Sequence, residues 1–372
     1  MLPLAPVFMG ELNIGPAEFS ILASSYNFSA GIVGFFYSAL ADKYNRRNLL
    51  TFLVIGLAIS TTLCGMATSY SFLLTARVIA GMFGGIVNPV VYAIIADIIP
   101  EQRRGKAVGT IMTSFSLTSI LGIPVGLAIA DYTSWRYSFY LIALGSLIMA
   151  VIQFMILPSL PVLHGKSDFK QNFKRLIEII FTKKHQLPFA VIICFTFAGF
   201  MVFPFLSAYV VNNIGLPQTD LKYIYLIGGL FTVFGNRLVG ISTDRFGELK
   251  TFIPPALLSV PFILLYTSAT DLEFSYLIVI STFFMIFINA RFVPVMTLVT
   301  KHPTPEERGS FMGVLLSYRS FAASLAIAAS GLIITELPNG KLANFDKIGH
   351  ISIILTLLGS ILFTHLYKKA KA

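Results

Sequence analysis

Apolar residues fall in runs of roughly 20 along the whole chain, the length that carries an α-helix across a hydrocarbon core. The runs lie near 17–40, 49–67, 71–98, 108–131, 137–157, 188–212, 220–242, 251–268, 274–300, 311–335 and 348–367. They predict eleven complete membrane spans. The opening stretch MLPLAPVFMG is apolar too, but ten helical residues reach only about 15 Å, half the hydrocarbon thickness. It is counted as a truncated first helix, which gives an even twelve.

The polar stretches between the runs set direction. Lys43, Arg46, Arg47, Arg103, Arg104, Lys106, the bases of 158–187, Arg245, Lys250, Lys301, Arg308 and the C-terminal lysines fall on one side. The other side holds Arg136, Lys222, Lys341 and Lys347. Bases concentrate on cytoplasmic loops, so the first set and the C-terminus are expected in the cytoplasm. The stretch 158–187 carries Phe169, Phe173, Leu176, Ile177 and Ile180 at helical spacing among lysines and Arg175. It reads as a basic linker or, preferably, as an amphipathic helix lying on the cytoplasmic surface. It divides the chain into 1–157, a half whose first helix is partial, the linker 158–187, and a second six-helix half, 188–372.

Composition excludes a soluble domain. Of 372 residues 56% are hydrophobic and 12% charged, with a mean hydropathy of +0.80; a soluble domain carries about 25% charged residues. The expected class is an all-α polytopic membrane protein of the plasma membrane, the inner membrane if the cell is Gram-negative. The net charge of +10 then expresses topology and attraction to anionic lipid, not nucleic-acid binding. Cys64 and Cys194 sit inside apolar runs with no ligand cluster beside them, so they read as packing residues and no metal site is expected. There is no H-E-x-x-H, no G-x-x-x-x-G-K-S/T phosphate loop and no nucleophile–base pairing. An enzyme, self-contained ATP-driven transport and a bound cofactor are therefore not expected.

Short motifs recur in order across the two halves. Asp42-Lys43 in ADKYNRR is echoed by Asp244-Arg245 in GISTDRFGELK, and PEQRRGKAVG (100–109) by PEERGSFMG (305–313). The separations nearly agree, as in a duplication with parallel halves. The stretch S-A-L-A-D-K-Y-N-R-R at 38–47 resembles the G-x-x-x-D-R/K-x-G-R/K-R/K loop signature of the major facilitator superfamily, with a weaker copy at 240–248. LLTARVIAGMFGG (73–85) resembles that family's R-x-x-x-G helix signature through Arg77 and Gly81. GIPVGLAIADYTSWR (122–136) resembles the helix-5 signature of its drug and sugar efflux antiporters, closest to arabinose-efflux-permease-like members. Ser38, Glu248, Thr118 and the split of Gly122 from Pro124 depart from the family patterns.

The resemblance implies the major-facilitator fold and a cytoplasmic gate formed by Asp42, Lys43, Arg46, Arg47, Asp244 and Arg245. Gly247, and Asn45 in its place, would supply the positive φ of a tight turn. Gly122, Pro124 and Gly126 would permit close helix contact and a bend. LPLAP at 2–6 resembles the outer part of the family's first helix, whose proton-carrying acid would then precede Met1; the natural chain is expected to be longer.

Charges inside the spans are the best candidates for a transport site, since each costs about 2.5–3.5 kcal/mol to insert. These are Arg77, Arg237, Arg291 and Arg319. The last three, at similar depth, suggest an anion site or an interhelical gate network; snorkelling of Arg237 and Arg319 to the interface is the alternative. Asn88, Asn236 and Asn289 are the polar candidates beside them. Asn88-Pro89 could break the helical ladder and open a carbonyl to a cavity. No Asp or Glu lies at mid-membrane depth in the sequence. The implied function is proton-gradient-driven efflux of a small drug- or sugar-like molecule by alternating access, in a monomer whose partners are its solute and the bilayer. Proton-coupled uptake of a small solute is the first alternative. An inactive truncated product or a non-transporting receptor is the next.

Overall fold

The computed structural model describes residues 1–40, 44–100, 103, 118–159, 169–270, 272–304 and 307–371. A 3-10 turn, Leu2–Leu4, leads into α1 (Ala5–Leu12), followed by α2 (Pro16–Leu40), α3 (Arg46–Met66) and α4 (Tyr70–Ile98). A π turn, Thr118–Gly122, opens α5 (Ile123–Tyr132), and α6 (Trp135–Ile156) returns. After the amphipathic α7 (Phe169–Phe181) come α8 (Lys183–Val202), carried by short helical turns to Ile214, α9 (Leu221–Phe246) and α10 (Glu248–Thr267). Then come α11 (Phe274–Ala290), α12 (Phe292–Lys301), α13 (Arg308–Ile333) and α14 (Phe345–Lys371). A small antiparallel hairpin, β1 (Thr335–Glu336) with β2 (Leu342–Ala343), joins the last two helices.

Among the described residues ten helices are long and apolar enough to cross a membrane. The expected span at 108–131 is described only from Thr118, and its earlier part lies outside the described residues. The protein is an all-α polytopic membrane protein.

Helix ends follow local chemistry. Asn45 caps α3, its side chain accepting from the amides of Arg47 and Asn48; Ser69 and Ser134 cap α4 and α6 in the same manner. This corrects the expectation for Asn45, whose φ of −60° is extended rather than left-handed. An N-cap needs a side-chain acceptor on extended backbone, and asparagine supplies it. Gly247 does take a left-handed φ of 84° between α9 and α10. The seventh span begins at Lys183, earlier than expected, because Pro188 in its opening turns is tolerated. Proline cannot bond the Lys184 carbonyl four residues back, and the His302 ring nitrogen donates to that carbonyl instead at 2.9 Å.

Two groups of helices meet along two seams. In the first, α2 packs on α4, and α3 on α4 and α6; in the second, α8 packs on α13 and α14, α9 on α11, and α10 on α11 and α14. The principal seam is α2 against α13. It is close because the residues are small: a Cβ on Gly331 would collide with Ser20 and one on Gly313 with Ser38, so only glycine lets the backbones approach. In lipid such packing supplies the association energy that water supplies elsewhere. The second seam sets α5 and its π turn against α9.

The buried core is not shared evenly. At the end opposite the basic loops, Phe8, Phe19, Leu73 and Trp135 of the first group pack in one cluster with Phe205, Leu206, Ile224 and Ile327 of the second. Toward the basic end there are separate clusters. One joins α2, α3, α4 and α6 around Leu50, Val54 and Val90; the other centres on Phe189, Phe252, Val299 and Phe311.

Helix α7 forms where the amphipathic helix is expected. It lies against α2, α8 and α13, with Leu176 and Ile179 buried in the protein and Phe169 and Phe181 exposed. The basic ends of its neighbours present the apolar partner it needs: Phe173 stacks on Phe36 at 6.1 Å, and Asn172 donates to the Ala39 carbonyl at 3.2 Å.

Candidate functional site

Four arginines mark the interior, and the structure separates them. Arg319 lies near the middle of α13, on the side turned toward the first group. Its guanidinium sits 5.3 Å over the Phe292 ring, with Tyr92 of α4 in electrostatic reach across the gap between the groups. It is solvent-exposed yet surrounded by protein, as a side chain facing an interior cleft is. It has no hydrogen bond or ion pair with any described residue.

Arg77 sits on α4, 4.8 Å over the Tyr26 ring of α2. Its Nε is buried without a hydrogen-bond partner. Close approach of the two helices brings that ring there: a Cβ on Gly84 would collide with the Tyr26 hydroxyl. Asn88 is exposed on the same helix, one turn before Tyr92. The neighbouring Pro89 does not break α4, which runs unbroken from Tyr70 to Ile98; the neighbouring turns hold the helix through the one missing bond.

Arg291 is different. It is wholly buried at the break between α11 and α12. Its Nη1 donates to Ser259 of α10 at 3.1 Å and to Thr356 of α14 at 2.8 Å, and its guanidinium lies 5.2 Å from the Phe195 ring of α8. Both hydroxyls donate onward to their own helices, so each offers the arginine a lone pair. The Nε and Nη2 have no partner. Arg237 is exposed on α9, and beside it the Asn236 Oδ1 and the Thr232 hydroxyl are buried without partners. Asn289 donates back to Met285 of its own helix at 2.8 Å.

The expected network of Arg237, Arg291 and Arg319 is therefore not present among the described contacts. Arg291 is turned into the second group by hydroxyls that only folding brings beside it, while Arg319 is turned toward the cleft. Sequence reasoning missed the aromatic residues that meet the arginines, Tyr26, Tyr92 and Phe292. Tyr26 and Tyr92 differ little in sequence from the many aromatics that face lipid or pack.

At the basic ends, Arg46 pairs with Asp97 at 3.1 Å and Arg47 lies 4.7 Å over the Phe154 ring. Asp244 and Arg245 are exposed, the latter 5.3 Å over Phe246. Asp42 and Lys43 lie outside the described residues. Glu248, where the loop signature has a base, pairs with Lys301 at 2.8 Å. Lys184 bonds both carboxylate oxygens of Glu307 at 2.8 Å, which holds that carboxyl below its ordinary range. His302, its ring 5.5 Å from the buried His185 ring, is held below its ordinary value by burial. At the helix-5 signature the π turn ends at Gly122, and Pro124 opens α5. Among the described residues a Cβ on Gly126 would meet nothing within 4 Å, and the Ser138 hydroxyl donates to the Gly126 carbonyl at 2.7 Å.

A family model described as Major Facilitator Superfamily matches residues 1–327. The chain belongs to that superfamily. Over 338 residues it is 27% identical to the quinolone resistance protein NorA of Staphylococcus aureus (strain COL), covering 90% of this chain and 85% of the relative. Over 263 residues it is 25% identical to the putative transporter AraJ of Escherichia coli (strain K12), covering 65% of each chain. The structure superposes on the crystal structure of a bacterial homologue of the human lysosomal transporter Spinster, inward-facing and occupied, with a TM-score of 0.78. That match has 15% identity and covers 99% of this chain and 92% of the other. The protein is thus a major-facilitator transporter with the two-half fold of that superfamily, not an enzyme, and it acts on small molecules within the membrane.

Proposed function

We propose that this transporter exports a small drug- or sugar-like molecule in exchange for inward-moving protons, by rocking of 1–157 against 188–372. One-sided closure carries the reading. Among the described residues the larger apolar cluster crosses between the groups at the end opposite the basic loops. At the basic end the crossing apolar contacts are few, Ala39 and Phe35 of α2 against the second group's cluster, and the ion pairs stay within each group. Two bodies hinged on a small-residue seam and shut at one end can open at the other. The likeness to a relative named for quinolone resistance supports export as the direction.

In this reading Arg77, Asn88, Asn236, Arg237 and Arg319 meet the solute or its coupled ion, and Arg291 with Asn289 braces the helix break. Asp42, Lys43, Arg46, Arg47, Asp244 and Arg245 gate the basic end, and Gly122, Pro124 and Gly126 allow α5 to flex. The basic loops and the C-terminus face the cytoplasm from the plasma membrane, and one chain suffices. Everted vesicles test the direction: adding an exported compound, such as a quinolone, collapses a preformed inside-acid gradient. A solute that enters whole cells only together with protons overturns export in favour of uptake.

A further inference from the structure

Resting on the transport reading above, the geometry points to an organic anion with an apolar or aromatic body as the substrate, held by Arg319 with Arg77 as a second cation deeper in the path. The first ground is an imbalance of charge. No carboxylate among the described residues pairs with Arg77, Arg291 or Arg319. A guanidinium kept in the membrane interior costs about 2.5–3.5 kcal/mol, and a protein recovers that cost by giving the charge a partner. Arg291 has found one: its two hydroxyl acceptors and a ring enclose it, and nothing can reach it without unpacking α10 from α14.

Arg319 has found none. It is exposed, its guanidinium sits 5.3 Å over the Phe292 ring, and among the described residues the neighbour in electrostatic reach is the Tyr92 hydroxyl of the opposite group. Arg77 repeats the arrangement, cation on aromatic ring, with a buried Nε that donates to nothing. A guanidinium fork with free donors matches a carboxylate or sulfonate in two-point geometry. The ring beneath it offers a surface for the apolar remainder of the same molecule.

Arg319 also stands where the two groups part. Its neighbours Ser320 and Phe321 lie against Gly31 across the α2–α13 seam, and Phe321 meets Phe28 edge-on at 5.9 Å. An anion bound between Arg319 and Tyr92 would therefore touch both groups at once, the position from which a solute can favour one state over the other.

The test uses three probes of one shape on the purified full chain in lipid nanodiscs: 1-naphthoate, neutral 1-naphthamide and cationic 1-naphthylmethylamine. The expected result is binding of 1-naphthoate at least tenfold tighter than of the other two. Arg319→Ala should remove that preference, Arg319→Lys should keep part of it, and Lys341→Ala, on the hairpin, should leave it unchanged. Tightest binding of the amine or the amide overturns the proposal, and does so on the wild-type protein even if Arg319→Ala cannot be recovered. Unchanged naphthoate affinity in a folded Arg319→Ala protein overturns it as well. The two readings fail separately. Proton-driven accumulation of a cationic dye inside everted vesicles without naphthoate binding sinks the anion site and spares export; naphthoate binding with solute movement into whole cells does the reverse.

Discussion

The two ends of the molecule are held by different forces. At the end opposite the basic loops, large apolar side chains from both groups interlock, and Phe19 of α2 meets Phe205 beyond α8 at 5.7 Å. At the basic end the strong contacts are charged and local. Arg46–Asp97 ties α3 to α4, while Lys184–Glu307 and Lys301–Glu248 tie neighbours within the second group. Among the described residues the α2–α13 seam and α7 make the crossing between the groups there. Apolar contacts across a boundary close it, whereas ion pairs inside each body stiffen the bodies and leave the boundary free. On the proposed mechanism, this difference decides which end parts first.

The most severe way to break this contrast is to empty the interlocked end. Phe205→Ala should cost about 3–5 kcal/mol, the usual penalty for a deleted core aromatic. It should expose a cysteine placed at the buried Ala326 to a membrane-impermeant maleimide; continued protection of that cysteine would show that the end does not rely on the cluster. Next comes the seam. Gly331→Leu drives a side chain into Ser20 and the Pro16 carbonyl, and overpacking of this kind costs about 1–3 kcal/mol. That is enough to shift the balance of states by roughly 5- to 150-fold, so transport in proteoliposomes should fall strongly at normal protein levels.

At the basic end the effects should be smaller. Glu307→Gln removes a part-exposed pair to Lys184 worth about 0.2–1 kcal/mol, and a shift in melting temperature well below that of Phe205→Ala is expected. Acid should sharpen the contrast further. The His302 value is depressed, so its contribution is present above the ordinary histidine value of 6.5 and fades as pH falls through it. Glu307, also depressed, holds its contribution above 4.5 and loses it only at lower pH. Melting temperature should therefore decline below about pH 6.5, and His302→Asn should flatten that first step.

Much of this was legible in the chain. The apolar spans follow from run length, which acts locally. Sequence reasoning fell short where direction around a helix mattered. Arg291 and Arg319 look alike in sequence, each an arginine in an apolar run, yet one is enclosed by Ser259 and Thr356 and the other faces a cleft. Asn45 was legible as a turn residue but not as a cap, because both uses suit asparagine and only backbone geometry separates them.

The sequence by itself determined that this chain lives in a bilayer and crosses it as apolar helices, since hydrocarbon thickness and charge cost leave little freedom. Only the tertiary structure decided which arginine is braced and which has no partner among the described residues, where the larger apolar cluster joins the two groups, and that α7 packs on α2, α8 and α13. Those outcomes depend on which helix faces meet, and contacts between distant segments leave no periodic trace in a single chain.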